Sequence, residues 1–248
     1  MGGEQVEGRH AVLELLRVAR REVLELLVDP RHGDDDELHA LARARGVPLR
    51  VVSAEELARR ARSEVPQGVL ARAAPVRSVE VAELCVEPAL AALPFLVVLD
   101  GVTDPHNLGS ILRSASGAGA TGIVVARRRS AHLTPAAIKA AAGAVEHLDF
   151  ALVAGIPAAL DALRRAGLWR VGLDAEGAVA LEEVTVLTEP VALVLGAEDR
   201  GLSTLTRQRC DVLARIPLVG PLESLGVAAA AAVACFAVAE RRRPPHRA

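Results

Sequence analysis

From Phe95 onward the chain alternates in a way that few folds can accommodate. "FLVVLD" (95–100), "GIVVA" (122–126), "DFALV" (149–153), "LWRVGL" (168–173), "VALVLG" (191–196) and "VLARIPL" (212–218) are short, apolar and rich in β-branched residues. Helical stretches separate most of them: Leu108–Gly119, Pro135–Glu146 with Thr134 as cap, Pro157–Ala166 and Leu202–Gln208. A last helix spans Leu222–Arg242. Strands that are apolar at consecutive positions, not alternate ones, are buried on both faces. Such runs between helices predict a parallel sheet covered on both sides. Ligands of such sheets bind beyond the carboxyl ends of the strands.

Residues 1–74 read as a separate, smaller α/β unit. "GRHAVLELLRVA" has helical spacing, "VLELLVD" is a strand ended by Pro30, and "DDDELHALARARG" is a helix with acids at its start. "PLRVVS" is a second strand, Ser53 caps "AEELARRAR" with Glu56 three residues on, and "GVLARAA" is a third strand. Residues 75–94 carry Pro75, Pro88, Pro94 and three glutamates, and "AELCVEPALAAL" has the composition of a short helix. This stretch is expected to be a linker on which the first unit moves relative to a catalytic domain at 95–248.

Composition narrows the classes. With 51% hydrophobic residues in 248, a sizeable core is available. Three Phe, one Trp and no Tyr leave few platforms for stacking single-stranded bases. A net charge of −2 leaves nucleic-acid binding to local basic patches. Cys85, Cys210 and Cys235 form no metal-ligand or disulfide pattern, and Cys235, in an apolar run, reads as a buried small residue. The N-terminus has no apolar signal core, and the apolar run Leu225–Ala239 is shorter than the ~20 residues a membrane span needs. A cytoplasmic protein is expected.

Three strands end in polar or glycine-rich junctions: "LDGVTDPHNLGSILRSA" (99–115), "LVLGAEDRGLS" (193–203) and "IPLVGPLESLGVAAAAAVACFAVAERR" (216–242). None is a Walker A loop, no G-x-G-x-x-G follows a strand, and no H-E-x-x-H or Cys cluster offers a metal. Taken singly, each is an ordinary turn, the first with Asn107 as helix cap. In this order and at these spacings they resemble the three motifs of the SpoU/TrmH family of RNA ribose 2′-O-methyltransferases, a branch of the SPOUT class. The resemblance extends to "GRHAV" and "PQGVLA" (66–71), and to "VVARRRSAHLTPAAIKAAAGAVEHL" (124–148). These resemble the bacterial branch that methylates a guanosine ribose of 23S ribosomal RNA.

The resemblance implies an α/β fold whose SPOUT-type parallel sheet carries a deep trefoil knot, with an N-terminal RNA-substrate-binding domain. It also implies S-adenosylmethionine as cofactor, no metal, homodimerisation through the catalytic domain, and a ribosomal RNA substrate met before ribosome assembly is complete. By position in the motifs, Arg113, Asn107, Glu198 and Ser224 are the catalytic candidates. Gly196, Ile216 and Leu225 are the candidates for holding the cofactor. Arg9, Arg127, Arg128 and Arg129 are candidates for RNA, of which Arg129 matches the family. Six residues, a turn and a half, separate Asn107 from Arg113, so both face one crevice only if the helix begins after Asn107. One departure stands out. The third motif of the family reads Ser-Leu-Asn-Val, and here it is Ser224-Leu225-Gly226-Val227. Two alternatives stay open: the same chemistry on tRNA or on an antibiotic-resistance site of ribosomal RNA, and a non-catalytic RNA-binding or ribosome-assembly factor on the same fold.

Overall fold

The computed structural model describes residues 1–63, 67–86, 93–222 and 224–243. In chain order the N-terminal unit comprises β1 (Gln5–Glu7), α1 (Arg9–Val18), β2 (Val23–Val28), α2 (Asp36–Ala44), β3 (Leu49–Val51), α3 (Ala54–Arg60) and β4 (Val69–Ala73). Its sheet runs β1-β4-β2-β3, with β2 and β3 parallel and the other pairs antiparallel. Helix α1 buries Ala11, Val12, Leu13, Leu15 and Leu16, the apolar face its spacing predicts. Asp35 caps α2 by accepting from the Leu38 N–H, and Ser53 caps α3 through the Glu56 N–H.

After α4 (Val81–Leu84) come β5 (Phe95–Asp100), α5 (Pro105–Gly117), β6 (Gly122–Ala126), α6 (Pro135–Ala141), β7 (Asp149–Val153), α7 (Ile156–Arg165) and β8 (Trp169–Leu173). Then follow β9 (Val179–Ala180), β10 (Val191–Gly196), α8 (Thr204–Arg209), β11 (Val212–Arg215) and α9 (Val227–Arg242). The sheet order is β7-β6-β5-β10-β8-β11-β9, and every neighbouring pair is parallel. The two-sided burial is visible within single strands. Phe95, Val97 and Leu99 join the core beneath α5 and α9, while Leu96 and Val98 join a second core with Ile156, Leu160 and Leu163 of α7. Ala231, Ala234 and Cys235 of α9 are buried, as expected for an alanine-rich helix pressed on a neighbour. Burial pushes the Cys235 thiol up to about 12, so it stays protonated and inert.

Three expectations need correction. Helix α9 begins at Val227, not Leu222, and α5 begins at Pro105, two residues before the expected cap Asn107. The cap is Asp104, whose carboxylate accepts from the N–H groups of His106 and Asn107, with Pro105 at the first helical position. The third concerns the linker. Its described part is anchored, since Val79 donates to the Phe150 carbonyl at 2.8 Å, Ser78 Oγ accepts from the Leu152 N–H, and Leu84 is buried. The N-terminal unit itself packs on the catalytic domain, and apolar side chains of both belong to one continuous core. The stretch 87–92 of the expected linker helix, and Pro66 of "PQGVLA", lie outside the described residues.

Candidate active site

Parallel pairing levels the carboxyl ends of the two central strands. Register runs from Val191 opposite Phe95 to Gly196 opposite Asp100, so the first two junctions lie side by side. Asp100 closes the gap between them, its carboxylate accepting from the Ser203 N–H at 2.9 Å. The second junction folds on itself: Ala197 N–H donates to the Gly201 carbonyl at 3.0 Å, and Gly201 N–H to the Ala197 carbonyl at 2.8 Å. This close approach demands glycine at 196, where a Cβ would lie 2.1 Å from the Gly201 carbonyl carbon. The third junction leaves β11, which is separated from β10 by β8. To reach α9 beside α5, it crosses the end of β8.

That crossing encloses a cavity of about 430 Å³, within the ~300–1,000 Å³ range of small-molecule sites. Gly196, Ile216 and Leu225 line it, together with Glu198 and Ser224. The strand-end residues Leu173–Glu176 and the α8 residue Arg207 also line it, and sequence reasoning missed them. The available signal was the end of β8, where "LDAEG" follows a buried strand just as the other junctions do. Asp174 is fully engaged, by Arg207 at 2.9 Å and by the Glu176 N–H.

A second cavity of about 310 Å³ adjoins the first. Thr103, Asp104, Asn107, Glu198, Asp199 and Arg200 line it, and Ala197, Glu198 and Arg200 belong to both walls. Glu198 therefore stands where the two spaces meet. Gly226 faces the same carboxylate: a Cβ built on it would lie 3.8 Å from Glu198 Oε1.

Arg113 is not brought to these cavities within one chain. Because α5 starts at Pro105, Asn107 and Arg113 sit on one continuous helix, about 9 Å apart along its axis and about 120° apart around it. Asn107 lines the second cavity, whereas Arg113 is on the exposed stripe His106-Ser110-Arg113-Gly117. Beside this stripe runs the outer face of α9, where Val233 and Phe236 are exposed, and a Cβ on Gly117 would lie 3.8 Å from Phe236.

The four candidate RNA-binding arginines divide. Arg127, Arg128 and Arg129 are exposed where β6 ends, and Arg129 holds a left-handed backbone at φ 58°. The Ala131 N–H donates to the Val102 carbonyl at 2.7 Å, which ties their loop to the first junction. Arg9 is already neutralised inside the N-terminal unit: its Nε donates to Asp35 at 2.6 Å and its Nη2 to Glu37 at 3.1 Å. Hydrogen bonding to Arg9 holds the Asp35 carboxyl below its ordinary range.

Residues 94–236 match the SpoU rRNA methylase family model, and residues 5–79 match the model for RNA 2′-O ribose methyltransferase substrate binding. The chain belongs to the SpoU rRNA methylase family. It is 39% identical over 246 residues to the 23S rRNA (guanosine-2′-O-)-methyltransferase RlmB of Yersinia pestis, covering 96% of this chain and 98% of that one. The enzyme of the same name from Pasteurella multocida is 37% identical over 248 residues, with the same coverage. Among solved structures, the SpoU methyltransferase AviRb from Streptomyces viridochromogenes in complex with AdoMet superposes with a TM-score of 0.79 at 27% identity, over 96% of this chain and 89% of that one. Family membership accounts for both units of the chain and for the parallel sheet. No described helix is long and apolar enough to cross a membrane.

Proposed function

We propose that this chain moves the methyl group of S-adenosylmethionine to the ribose 2′-hydroxyl of a guanosine in 23S ribosomal RNA, acting in the cytoplasm as a homodimer. The observation that carries this reading is the pair of adjoining cavities meeting at Glu198. One combines aliphatic walls from Leu173, Ile216 and Leu225 with polar groups from Asp174, Glu176 and Arg207, which suits an adenosyl group, and the other has polar walls suited to a ribose and its phosphate. Both open where the strands of a parallel sheet end.

The residues fit the cofactor. Gly196 and Leu225 offer backbone polar groups, and Ile216 and Leu225 offer aliphatic surface to a purine. The bound cofactor supplies a methyl already activated by its sulfonium, so the reaction breaks one carbon–sulfur bond and forms one carbon–oxygen bond. The chain must align the acceptor oxygen, where orientation is worth ~7–11 kcal/mol, and must accommodate the hydroxyl proton. Asn107 and Glu198 orient the ribose in the second cavity, and Ser224 borders the methyl donor. A guanidinium does not give up its proton. Arg113 therefore clamps a substrate phosphate and orients the hydroxyl, with that phosphate sharing the proton as the oxygen attacks.

The exposed stripe that carries Arg113 explains the dimer in this reading. A second copy packing over Val233 and Phe236 buries apolar surface and sets Arg113 against the other subunit's second cavity. The crossing of the third junction over the end of β8, before α9 returns to α5, supports the trefoil knot. Arg127–Arg129, exposed on a loop tied to the first junction, supply phosphate contacts, which give affinity and salt dependence with little sequence choice. Gly226 is the observation that favours a non-catalytic RNA-binding factor as the second reading. Mapping methylated riboses in ribosomal RNA from wild-type and deletion cells decides. One guanosine that loses its methyl in the deletion strain is the expected result, and an unchanged ribosomal RNA map would sink the proposal.

A further inference from the structure

The N-terminal unit, expected to ride on a mobile linker, is held by a buried ion pair that joins the two domains. Arg21, just beyond α1, meets Glu146, which follows α6 in the catalytic domain; both side chains are less than a tenth exposed. The contact is a planar fork, with Nε donating to Oε2 at 3.0 Å and Nη2 to Oε1 at 2.6 Å. The remaining nitrogen, Nη1, donates to the carbonyls of Gly3 and Ala74 at 2.5 and 2.7 Å. Four of the five guanidinium N–H groups are thus spent on fixing one orientation. Replacing a buried ion pair by packed apolar residues is often neutral or stabilising, so what this pair adds is read from its geometry and not from net stability.

Two further features converge on the same joint. At its rim Glu14 pairs with His147 at 2.8 Å. Beside it Gly143, at φ +93°, leaves room that a Cβ would take from Glu14, 2.5 Å from its Cγ. On the other side, Gly3 N–H donates to the Leu133 carbonyl and Leu133 N–H to the Met1 carbonyl, at 3.0 and 3.1 Å. Leu133 follows Arg127–Arg129 in the loop that the Ala131 N–H ties to the Val102 carbonyl of the first junction. Docking the N-terminal unit therefore also anchors the loop that carries these arginines.

We propose that the Arg21–Glu146 pair is a positioning clamp, which sets the N-terminal unit and the Arg127–Arg129 loop at one fixed reach from the methyl-transfer cavities, so that the enzyme selects a folded RNA by its shape. The inference rests on the RNA methyltransferase reading above. RNA segments that touch both units at the right separation place a ribose in the second cavity, and others do not.

The test uses full-length wild type, Glu146→Gln and Arg21→Lys, with protein-free ribosomal RNA from deletion cells as probe. Small-angle scattering reports domain spread, calorimetry reports S-adenosylmethionine affinity, and steady-state methylation separates KM from kcat. Wild type is expected to scatter as one compact body. Both variants are expected to scatter as a more extended one and to raise the KM for RNA about tenfold or more, with kcat at saturating RNA and cofactor affinity within about twofold of wild type. Arg21→Lys matters most, because it keeps the charge and loses the fork. A wild-type scattering curve of two separated bodies overturns the clamp, as does an unchanged KM in an Arg21→Lys protein that folds. If Glu146→Gln fails to fold, wild type and Arg21→Lys still decide. If wild type methylates no RNA, the functional reading fails by itself, and the scattering of the three proteins alone confirms or refutes the clamp.

Discussion

Gly226→Asn restores the residue that the family's third motif carries at this position, and its consequence follows from local geometry. Gly226 sits at φ −58° and ψ 149°, extended backbone open to any residue, so the substitution adds no strain. Among the described residues, the only atom within 4 Å of a Cβ built there, its chain neighbours aside, is Glu198 Oε1, at 3.8 Å. The position is also the N-cap of α9, and glycine supplies no side-chain cap there. An asparagine oxygen can accept from the first-turn N–H groups of α9 while its amide donates toward Glu198. The cap adds a few tenths of a kcal/mol over glycine, equivalent to about 1 °C in Tm for a chain of this size. The hydrogen bond to Glu198 is worth ~0.5–1.5 kcal/mol. If all of it appears in the transition state, methyl transfer quickens by no more than about tenfold, or ~1.4 kcal/mol. The assay is single-turnover methylation of ribosomal RNA alongside a thermal melt. Gly226→Asn is expected to be neutral or faster within that limit. A variant slowed tenfold would show that the open space beside Glu198 is itself required. An inert wild type with an active variant would make Gly226 a disabling change and bring the RNA-binding reading to the fore.

Arg113→Ala is expected to lower methyl transfer by ~10²-fold or more, as removal of a transition-state clamp does, while S-adenosylmethionine affinity measured by calorimetry stays unchanged. Near-normal turnover would remove Arg113 from the site. Phe236→Glu places a charge on the exposed face of α9, and light scattering on the full chain is expected to show the mass of one chain where wild type shows two. A wild type that already runs as one chain contradicts the interface. Acid should loosen the N-terminal unit first. Hydrogen bonds from Arg9 hold Asp35, and those from His147 and Arg17 hold Glu14, below the usual carboxylate range. A depressed folded-state pKa means stability that is present at neutral pH and lost as pH falls below about 4. Asp35→Asn is expected to flatten that acid limb in a pH series of thermal melts, and an unchanged limb would assign it to other carboxylates.

Two-sided burial of short strands is a local signal, which is why the parallel sheet and its edge of polar junctions could be read from residue order. The start of α5 was legible in principle. Asp104-Pro105 is the pattern of a cap followed by proline at the first helical position, and it outranks an asparagine three residues on. With Asp104 as the cap the helix starts three residues earlier than with Asn107, so Asn107 and Arg113 lie on one helix and face different sides of it. Arg21 and Glu146 lie 125 positions apart and carry no shared local pattern, so only the folded chain brings them together. The linker misled for a related reason. Proline and glutamate described its composition correctly, but Ser78 and Leu84 find partners on β7 and beneath α4 that composition does not reveal.

The same contrast separates the parts of the site. Gly196, Glu198 and Asn107 fall together because β5 and β10 are neighbours in parallel register, and register equalises where strands end. Ile216, Ser224 and Leu225 reach them only because the third junction passes over the end of β8, a strand whose own terminal residues then become part of the wall. The resemblance of the three junctions to the family's motifs could name all six residues, yet it could not supply Asp174 or Arg207. Neither belongs to one of the three junctions. Asp174 enters from the end of β8, and Arg207 enters from α8 as its ion-pair partner at 2.9 Å. The cavities therefore consist of motif residues set at strand ends and of unmarked residues recruited by the path of the chain between them.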